Sequence, residues 1–392
     1  MRIRFDWRRG EVWRWLCLSA ARLCSIVLVT CSRVLDFWAR PMAADALSDV
    51  LRTVRLTGAV FFNLDVSEPW VAEAPPARAC QPFVMPTAQH VIEFHVVTKG
   101  FCWGGLVDEQ PIRLQVGDII IFPQGDAHVL SSAPGMRTQP DITLYQGSER
   151  AQLPFALTLG DTGPPTAHVV CGFLGCDSRP FNPLLGALPR MLHLREGANL
   201  ETGWLAHFIR AAIEESENKR PGGESILSRL SELMFVEVVR RYLTSLPEDQ
   251  TGWLAGLRDR NVGQALNLLH GQPAFAWTLG RLAEEVGLSR SAFIERFTHF
   301  VGVPPMHYLA QWRMQVATGL LISRIDTVAR VATEVGYDSQ EAFSRTFKKL
   351  VGTPPAAWRK EQMAGRAAKR HQQPRLKRSP NAADSILPKV MN

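Results

Sequence analysis

Gln340, Glu341, Ser344, Arg345 and Lys348 fall on one face of a 3.6-residue period, with Ser339 just ahead of them. Arg and Gln can form paired hydrogen bonds with guanine and adenine edges in a major groove, and Lys or Ser can hold phosphate oxygens. An earlier face of the same kind offers Arg290, Ser291, Ile294, Glu295 and Thr298. Ile294 and Glu295 suit a polyanion poorly, although a carboxylate can accept from a cytosine amino group. The later face is therefore expected to carry more of the base contact.

A second set of reactive residue types lies in the amino-terminal half. His95 and His128, with Glu93 beside the first, are types that ligate transition metals, but a catalytic metal site needs three or four convergent ligands around an open position. With only a partial set, no resident metal or other cofactor is expected, and the histidines should be satisfied inside the fold or at its mouth. Seven cysteines stand at 17, 24, 31, 80, 102, 171 and 176. They form neither a disulfide framework nor paired CxxC ligands, which points to a reducing cytoplasm. Cys102 is a candidate oxidant-sensing thiol, with Cys80, Cys171 or Cys176 as resolving partner, provided His95, His128 or Lys99 lowers its pKa. Buried structural cysteine is the competing reading.

The elements that position the first set are stated twice by the chain. Thr278-Leu-Gly-Arg-Leu-Ala-Glu-Glu-Val-Gly287 is echoed by Thr327-Val-Ala-Arg-Val-Ala-Thr-Glu-Val-Gly336, and the copies run on to Gly302-Val-Pro-Pro305 and Gly352-Thr-Pro-Pro355. Each copy predicts a short helix, a glycine in the left-handed conformation and a second helix, the helix-turn-helix pattern. Ser289 and Asp338 are the expected N-caps. Phe293, Phe297 and Phe300 form the apolar stripe of one second helix, and Phe343, Phe347 and Leu350 that of the other. Between the units, Leu309, Trp312, Val316 and Leu320 predict a long linker helix. If both second helices enter one face of a duplex, they should lie about 34 Å apart.

At these residues the chain resembles the AraC/XylS family of bacterial transcription regulators, over about Val262 to Arg359. The stretch Gly336-Tyr-Asp-Ser-Gln-Glu-Ala-Phe-Ser-Arg-Thr-Phe-Lys-Lys349 is the most specific part of the match. The resemblance implies base-reading positions at Ser291, Ile294 and Glu295 and at Gln340, Glu341, Ser344 and Arg345.

From about Leu56 to Leu174, short apolar runs such as 91–97, 112–116 and 119–122 alternate with Gly and Pro, predicting a small barrel or sandwich. Gly117-Asp-Ile-Ile-Ile-Phe-Pro123-Gln-Gly125-Asp-Ala-His128 resembles the second motif of the cupin barrel, with Ser132 where cupins often have Asn. The first cupin motif is poorly kept: His95 is present, but Glu93 and Val97 stand at its partner positions. Together the resemblances imply a cupin-type sensor ahead of an AraC-type DNA-binding domain.

The expected fold class is α+β, a cupin-like β-barrel followed by an all-α domain with two helix-turn-helix units. Residues 42–183 form the sensor, 184–260 a helical connector suited to dimerisation, 261–360 the DNA-binding domain and 361–392 a basic disordered tail. Residues 1–41 read as an extension, with a misassigned start before Met42 preferred to a membrane anchor. The 392 residues, 46% hydrophobic and 21% charged, are those of an ordinary globular chain of two or three domains. The net charge of +7 fits a polyanion partner without demanding one.

The function implied is a cytoplasmic, non-enzymatic, sequence-specific regulator of transcription. Its partners would be double-stranded DNA, a small effector or oxidant, a second copy as homodimer, and RNA polymerase if it activates. A metal-dependent cupin enzyme tethered to DNA is the alternative, and a nucleoid architectural protein is a third reading.

Overall fold

A computed structural model describes residues 45–149, 153–161, 163–195, 204–218, 220–323 and 326–372. The expectations for residues 1–41, with Cys17, Cys24 and Cys31, and for the tail beyond residue 372 lie outside the described residues.

Helix α1 (Ala46–Thr53) leads into β1 (Thr57–Ser67) and β2 (Val71–Ala74). Helix α2 (Ala77–Val84) precedes β3 (His90–Lys99), β4 (Phe101–Leu106), β5 (Ile112–Gln115), β6 (Ile119–Phe122) and β7 (His128–Ser131). A 3-10 segment (Ile142–Glu149) is followed by β8 (Phe155–Gly160), β9 (Ala167–Cys176), α3 (Pro183–Ala187) and β10 (Leu192–Leu194). The strands form a six-stranded sheet, β10-β6-β3-β9-β1-β8, and a four-stranded sheet, β2-β7-β4-β5. Among the described residues no ladder joins the two, so the expected barrel is open: the sheets pack face to face as a sandwich.

The inner strands of the larger sheet are apolar on both faces because both are covered. Along β3, Val91, Glu93, His95 and Val97 alternate with Ile92, Phe94 and Val96. Val91 and Val97 belong to the core between the sheets, with Ile120, Phe122, Val169, Cys171 and Phe173. Ile92, Phe94 and Val96 belong to a different core on the outer face. There they meet α4 (Trp204–Asn218) and α5 (Gly223–Ser245) through Leu205, Ile209, Leu227, Met234 and Phe235. The connector's apolar stripe thus covers the sensor sheet.

Eight helices follow: α6 (Trp253–Arg258), α7 (Arg260–Gly271), α8 (Leu279–Glu285), α9 (Arg290–Val301), α10 (Pro305–Ser323), α11 (Val328–Glu334), α12 (Gln340–Val351) and α13 (Pro355–Gln372). The expected caps are met at Ser289, whose hydroxyl accepts from the Ala292 amide. In the second unit the cap is Ser339, accepting from Ala342, and not Asp338. The difference arises because Ser339 is the residue in extended backbone directly before the first helical turn. The tail is also corrected, since residues 361–372 continue α13 as helix.

The two helix-turn-helix units do not share one core. The first unit, with Leu282, Phe293 and Phe297, joins Tyr308, Leu309 and Trp312 of α10 in the same cluster as the outer face of the sensor sheet. The second has a separate cluster built from Met314, Ala317, Leu321, Val331, Ala332, Val335, Phe343, Phe347 and Trp358. Repeated sequence has folded into unequal surroundings.

Candidate nucleic-acid interface and sensor chamber

Both second helices present their sequence-selected faces outward. On α9, Arg290, Ser291, Ile294 and Glu295 are exposed, and Ile294 is 37% exposed despite being apolar. On α12, Ser339, Gln340, Glu341, Arg345 and Lys348 are exposed and Ser344 is half-buried. The faces differ in available charge. Arg296 of α9 is engaged by Asp259, with Nε 3.0 Å from Oδ1 and Nη2 2.5 Å from Oδ2. Arg290 packs over α8, close enough that a Cβ on Gly280 would lie 2.9 Å from its Nη2. Arg345, Lys348 and Lys349 have no ion pair among the described residues, leaving α12 the more cationic surface.

Arg313 of α10, which the sequence reading did not single out, bridges the two units. Its Nε donates to the Pro273 carbonyl at 2.7 Å and its Nη2 to the Phe275 carbonyl at 2.9 Å. The same guanidinium lies 5.5 Å from the Tyr337 ring centroid. One side chain therefore ties the loop before α8 to the turn of the second unit.

A polar aromatic cluster joins the sensor to the first unit. Tyr308 Oη accepts from Trp253 Nε1 at 2.7 Å and lies 2.6 Å from His270 Nε2. From the sensor side, the Phe181 ring meets Tyr308 edge-on at 5.3 Å, while the Phe181 amide donates to buried Gln315 Oε1 at 3.0 Å. The Ala46 amide donates to Asn267 Oδ1 at 3.1 Å.

Burial lowers the His270 pKa to about 3. The unfolded chain takes up this proton near pH 6.5, so His270 leaves stability intact above that value. As pH falls from 6.5 toward 3, stability is lost by up to about 1.4 kcal/mol per unit. Denaturant melts of wild type and His270→Phe across this window should show that contribution missing from the variant; equal pH slopes would contradict it.

The second set of residues meets between the sheets. Antiparallel pairing sets Glu93 opposite Phe122 and His95 opposite Ile120, while His128 comes from the other sheet, in register with Ala74 and Leu106. His95 Nε2 lies 2.7 Å from His128 Nε2, and Glu93 Oε2 lies 3.7 Å from the latter. His128 Nδ1 donates to the Asp126 carbonyl at 3.0 Å, and the ring stacks on Phe122 at 3.8 Å. These side chains line a 270 Å³ chamber with Phe62, Leu130, Tyr145 and Phe173. Burial drives the Glu93 pKa up to about 8 and the His128 pKa down to about 4, while burial and then the neighbouring His128 hold His95 well below the ordinary imidazole value.

The thiols meet the opposite of the environment sought for redox sensing. Cys102 is fully buried, and desolvation followed by Asp118 pushes its pKa up to about 12. Burial, then Cys102 and Glu93, push the Cys171 thiol well above its ordinary value. Cys176 lies on the outer face, in the core beneath the helices, with its thiol also pushed up to about 12 by burial. Among the described residues no neighbour lowers these thiol pKa values as oxidant sensing through Cys102 would require. The sequence reading missed Tyr145 as part of the chamber wall, because it arrives from an irregular segment without periodicity.

Comparison with known proteins follows this division. Residues 45–244 match the family described as Cupin, and residues 282–361 the family described as Helix-turn-helix domain. A Streptomyces lividans protein named as an AraC-like transcription regulator is 32% identical over 277 residues, spanning 70% of this chain and 88% of that protein. The chain belongs to the AraC family. This regulator is also 28% identical over 319 residues to the HTH-type transcriptional regulator AlkR of Acinetobacter baylyi, covering 81% of this chain and 99% of AlkR. Among solved structures, the DNA-binding domain of AdpA in complex with a target DNA is 28% identical, covering 28% of this chain and 97% of that one with a TM-score of 0.27. The regulator thus joins a ligand-sensing cupin-like domain to an AraC-type DNA-binding domain. No helix among its described residues is long and apolar enough to cross a membrane.

Proposed function

We propose that the regulator reads DNA chiefly through α12, with α9 adding contacts of lower charge. A small effector entering the sensor chamber biases that binding. The observation that carries the DNA-reading assignment is the exposed face of Gln340, Glu341, Arg345 and Lys348, held by buried Phe343 and Phe347. On α9, Ile294 suits a thymine methyl and Glu295 a cytosine amino group, with Arg290 and Ser291 available to phosphates. Coupling requires the effector to favour one arrangement over another. The core shared by the sensor sheet, α9 and α10 supports such a route.

The protein acts in the cytoplasm without catalysing a reaction of its own, and it meets RNA polymerase if it activates. Ile226 and Leu233, one heptad apart on α5 and 46% and 48% exposed, favour a homodimer seam.

Selection from a random DNA pool by the full chain should yield two conserved blocks about one helical turn apart. Arg345→Ala should lose about 1–3 kcal/mol of binding and relax preference at one position. Lys348→Ala should weaken every sequence alike and reduce the salt dependence. Recovery without a motif would count against this reading, and a uniform loss from Arg345→Ala would reassign that residue to phosphate.

A further inference from the structure

The structural repeat continues past the second helix of each unit. Phe297 of α9 meets Tyr308 of α10 edge-on with ring centroids 5.7 Å apart, and Phe347 of α12 meets Trp358 of α13 edge-on at 5.9 Å. The Tyr308 amide donates to the Pro304 carbonyl at 3.0 Å, and the Trp358 amide to the Pro354 carbonyl at 2.9 Å. Helix α13 therefore leaves the second unit as α10 leaves the first. The two are nearly equal in length, 19 residues in α10 and 18 in α13, or about 27–29 Å of helix each.

What they carry differs. The stripe of α10 formed by Leu309, Trp312, Val316 and Leu320 is apolar, and the helix joins the first unit's core through Leu309 and Trp312 and the second unit's through Met314, Ala317 and Leu321. The equivalent positions of α13 are Arg359, Gln362, Arg366 and Arg370. They recur at i, i+3, i+7 and i+11, so they share one helical face, and Glu361 lies opposite. The helix-turn-helix match ends at residue 361, whereas the helix runs on to Gln372.

An arginine stripe cannot take the place of the apolar one against a core. Among the described residues no helix follows α13 to receive it, and Met363, which stands where Arg313 bridges the units in α10, is 54% exposed. The guanidinium of Arg359 has Nε and Nη2 enclosed without an acceptor. Donors left in that state are costly, and a charged oxygen is their best partner.

We propose that α13 is a phosphate-binding arm, which uses Arg359, Arg366 and Arg370 to hold the duplex just outside the block read by α12. The proposal rests on the DNA-reading assignment above. Two units meeting one face of a duplex a turn apart are related by a shift of about 34 Å along its axis. The same shift takes α10, which runs from the first unit to the second, onto α13, which then runs from the second unit over the next turn of duplex. Arginines spaced along a helix suit the regular negative charge of the backbone and carry no base preference. Because the arm stands on one side only, it lengthens the footprint asymmetrically.

The test compares binding of the full chain to its selected operator in duplexes that either end flush after the α12 block or continue for about one helical turn, roughly 10 base pairs. The block whose preference Arg345→Ala relaxes marks that side. Wild type should bind the longer duplex about 10-fold more tightly, with a salt slope steeper by about 2–3, since each phosphate contact contributes about 0.9. Extending the α9 side instead should change neither quantity. Arg366→Gln combined with Arg370→Gln should remove the advantage of the longer duplex and leave binding to the flush one unaltered. Equal wild-type affinity for the two duplexes overturns the arm while the operator, still recognised, leaves the DNA-reading assignment standing. An equal loss on both duplexes places the effect of the substitutions in the second unit and also overturns it. Unchanged DNA affinity in the double variant with loss of activated transcription assigns the stripe to RNA polymerase instead. If the random pool returns no motif, the double variant must still lower the salt slope on random-sequence duplex by about 2, and an unchanged slope there overturns the arm.

Discussion

Phe347→Ala is expected to unfold the second helix-turn-helix unit while leaving the sensor and first unit folded. Phe347 is fully buried, its ring 5.5 Å from Phe343 and 5.9 Å from Trp358. Truncating such a side chain costs about 3–5 kcal/mol through lost transfer energy and the cavity left behind. The cluster around it is small and separate from the core that joins the outer face of the sensor sheet to the first unit. A loss of this size is comparable with the whole stability of a small domain. Phe297→Ala, at the equivalent repeat position, strikes the shared core and should destabilise sensor and first unit together. Hydrogen exchange resolved by segment distinguishes the two: protection should vanish over 328–358 in the first variant and fall over both halves of the shared core in the second. DNA selection with Phe347→Ala should return only the block read by α9. Uniform loss of protection across the chain would show that the units are not separable.

Gly336→Ala should be far more damaging than Gly287→Ala, although the two glycines are the same letter of the repeat. Both are left-handed, with φ of +83° and +71°, and a side chain in that region costs roughly 1–2 kcal/mol. Around Gly287 a Cβ would meet nothing within 4 Å. At Gly336 it would lie 2.6 Å from the Ala274 carbonyl oxygen and 2.8 Å from the Ala274 Cα, with Arg313 Nη2 at 2.7 Å. Backbone cannot swing aside as a side-chain tip can, so the second unit must tilt from the first and disturb the Arg313 tie. A total cost of about 2–5 kcal/mol is expected, since overpacking adds about 1–3 kcal/mol to the strain. Denaturation midpoints give the stabilities, and binding to operators of altered block spacing reads the tilt. Equal losses from the two changes, with spacing preference unaltered, would refute the asymmetry.

Much of the DNA-binding half was legible because its determinants are local. The spacing of Phe293 and Phe297, the glycines at 287 and 336 and the serine at 289 specify helix, turn and cap within a few residues, and the exposed faces follow from the same period. Asp338 and Ser339 are both suitable cap residues by type, and only the backbone conformation selects Ser339. In the sensor half, the Gly-Pro-Gly-His motif marked the turn that delivers His128. Its closure as a barrel was not local information: that depends on whether edge strands meet, and here they do not.

By itself, the sequence determined a duplicated DNA-binding unit, the faces it presents and a cupin-like domain ahead of it. These follow from side-chain periodicity and backbone preference over short spans. Only the tertiary structure decided what those parts touch. His95 and His128 meet from opposite sheets, 33 residues apart, because strand register and sheet packing bring them together. Cys102 is held as a buried thiol because the same packing removes water from it. Repeated motifs acquired different cores because α10 gives one end to the first unit's shared core and the other to the second unit. No local pattern encodes which of two equivalent helices will have a partner.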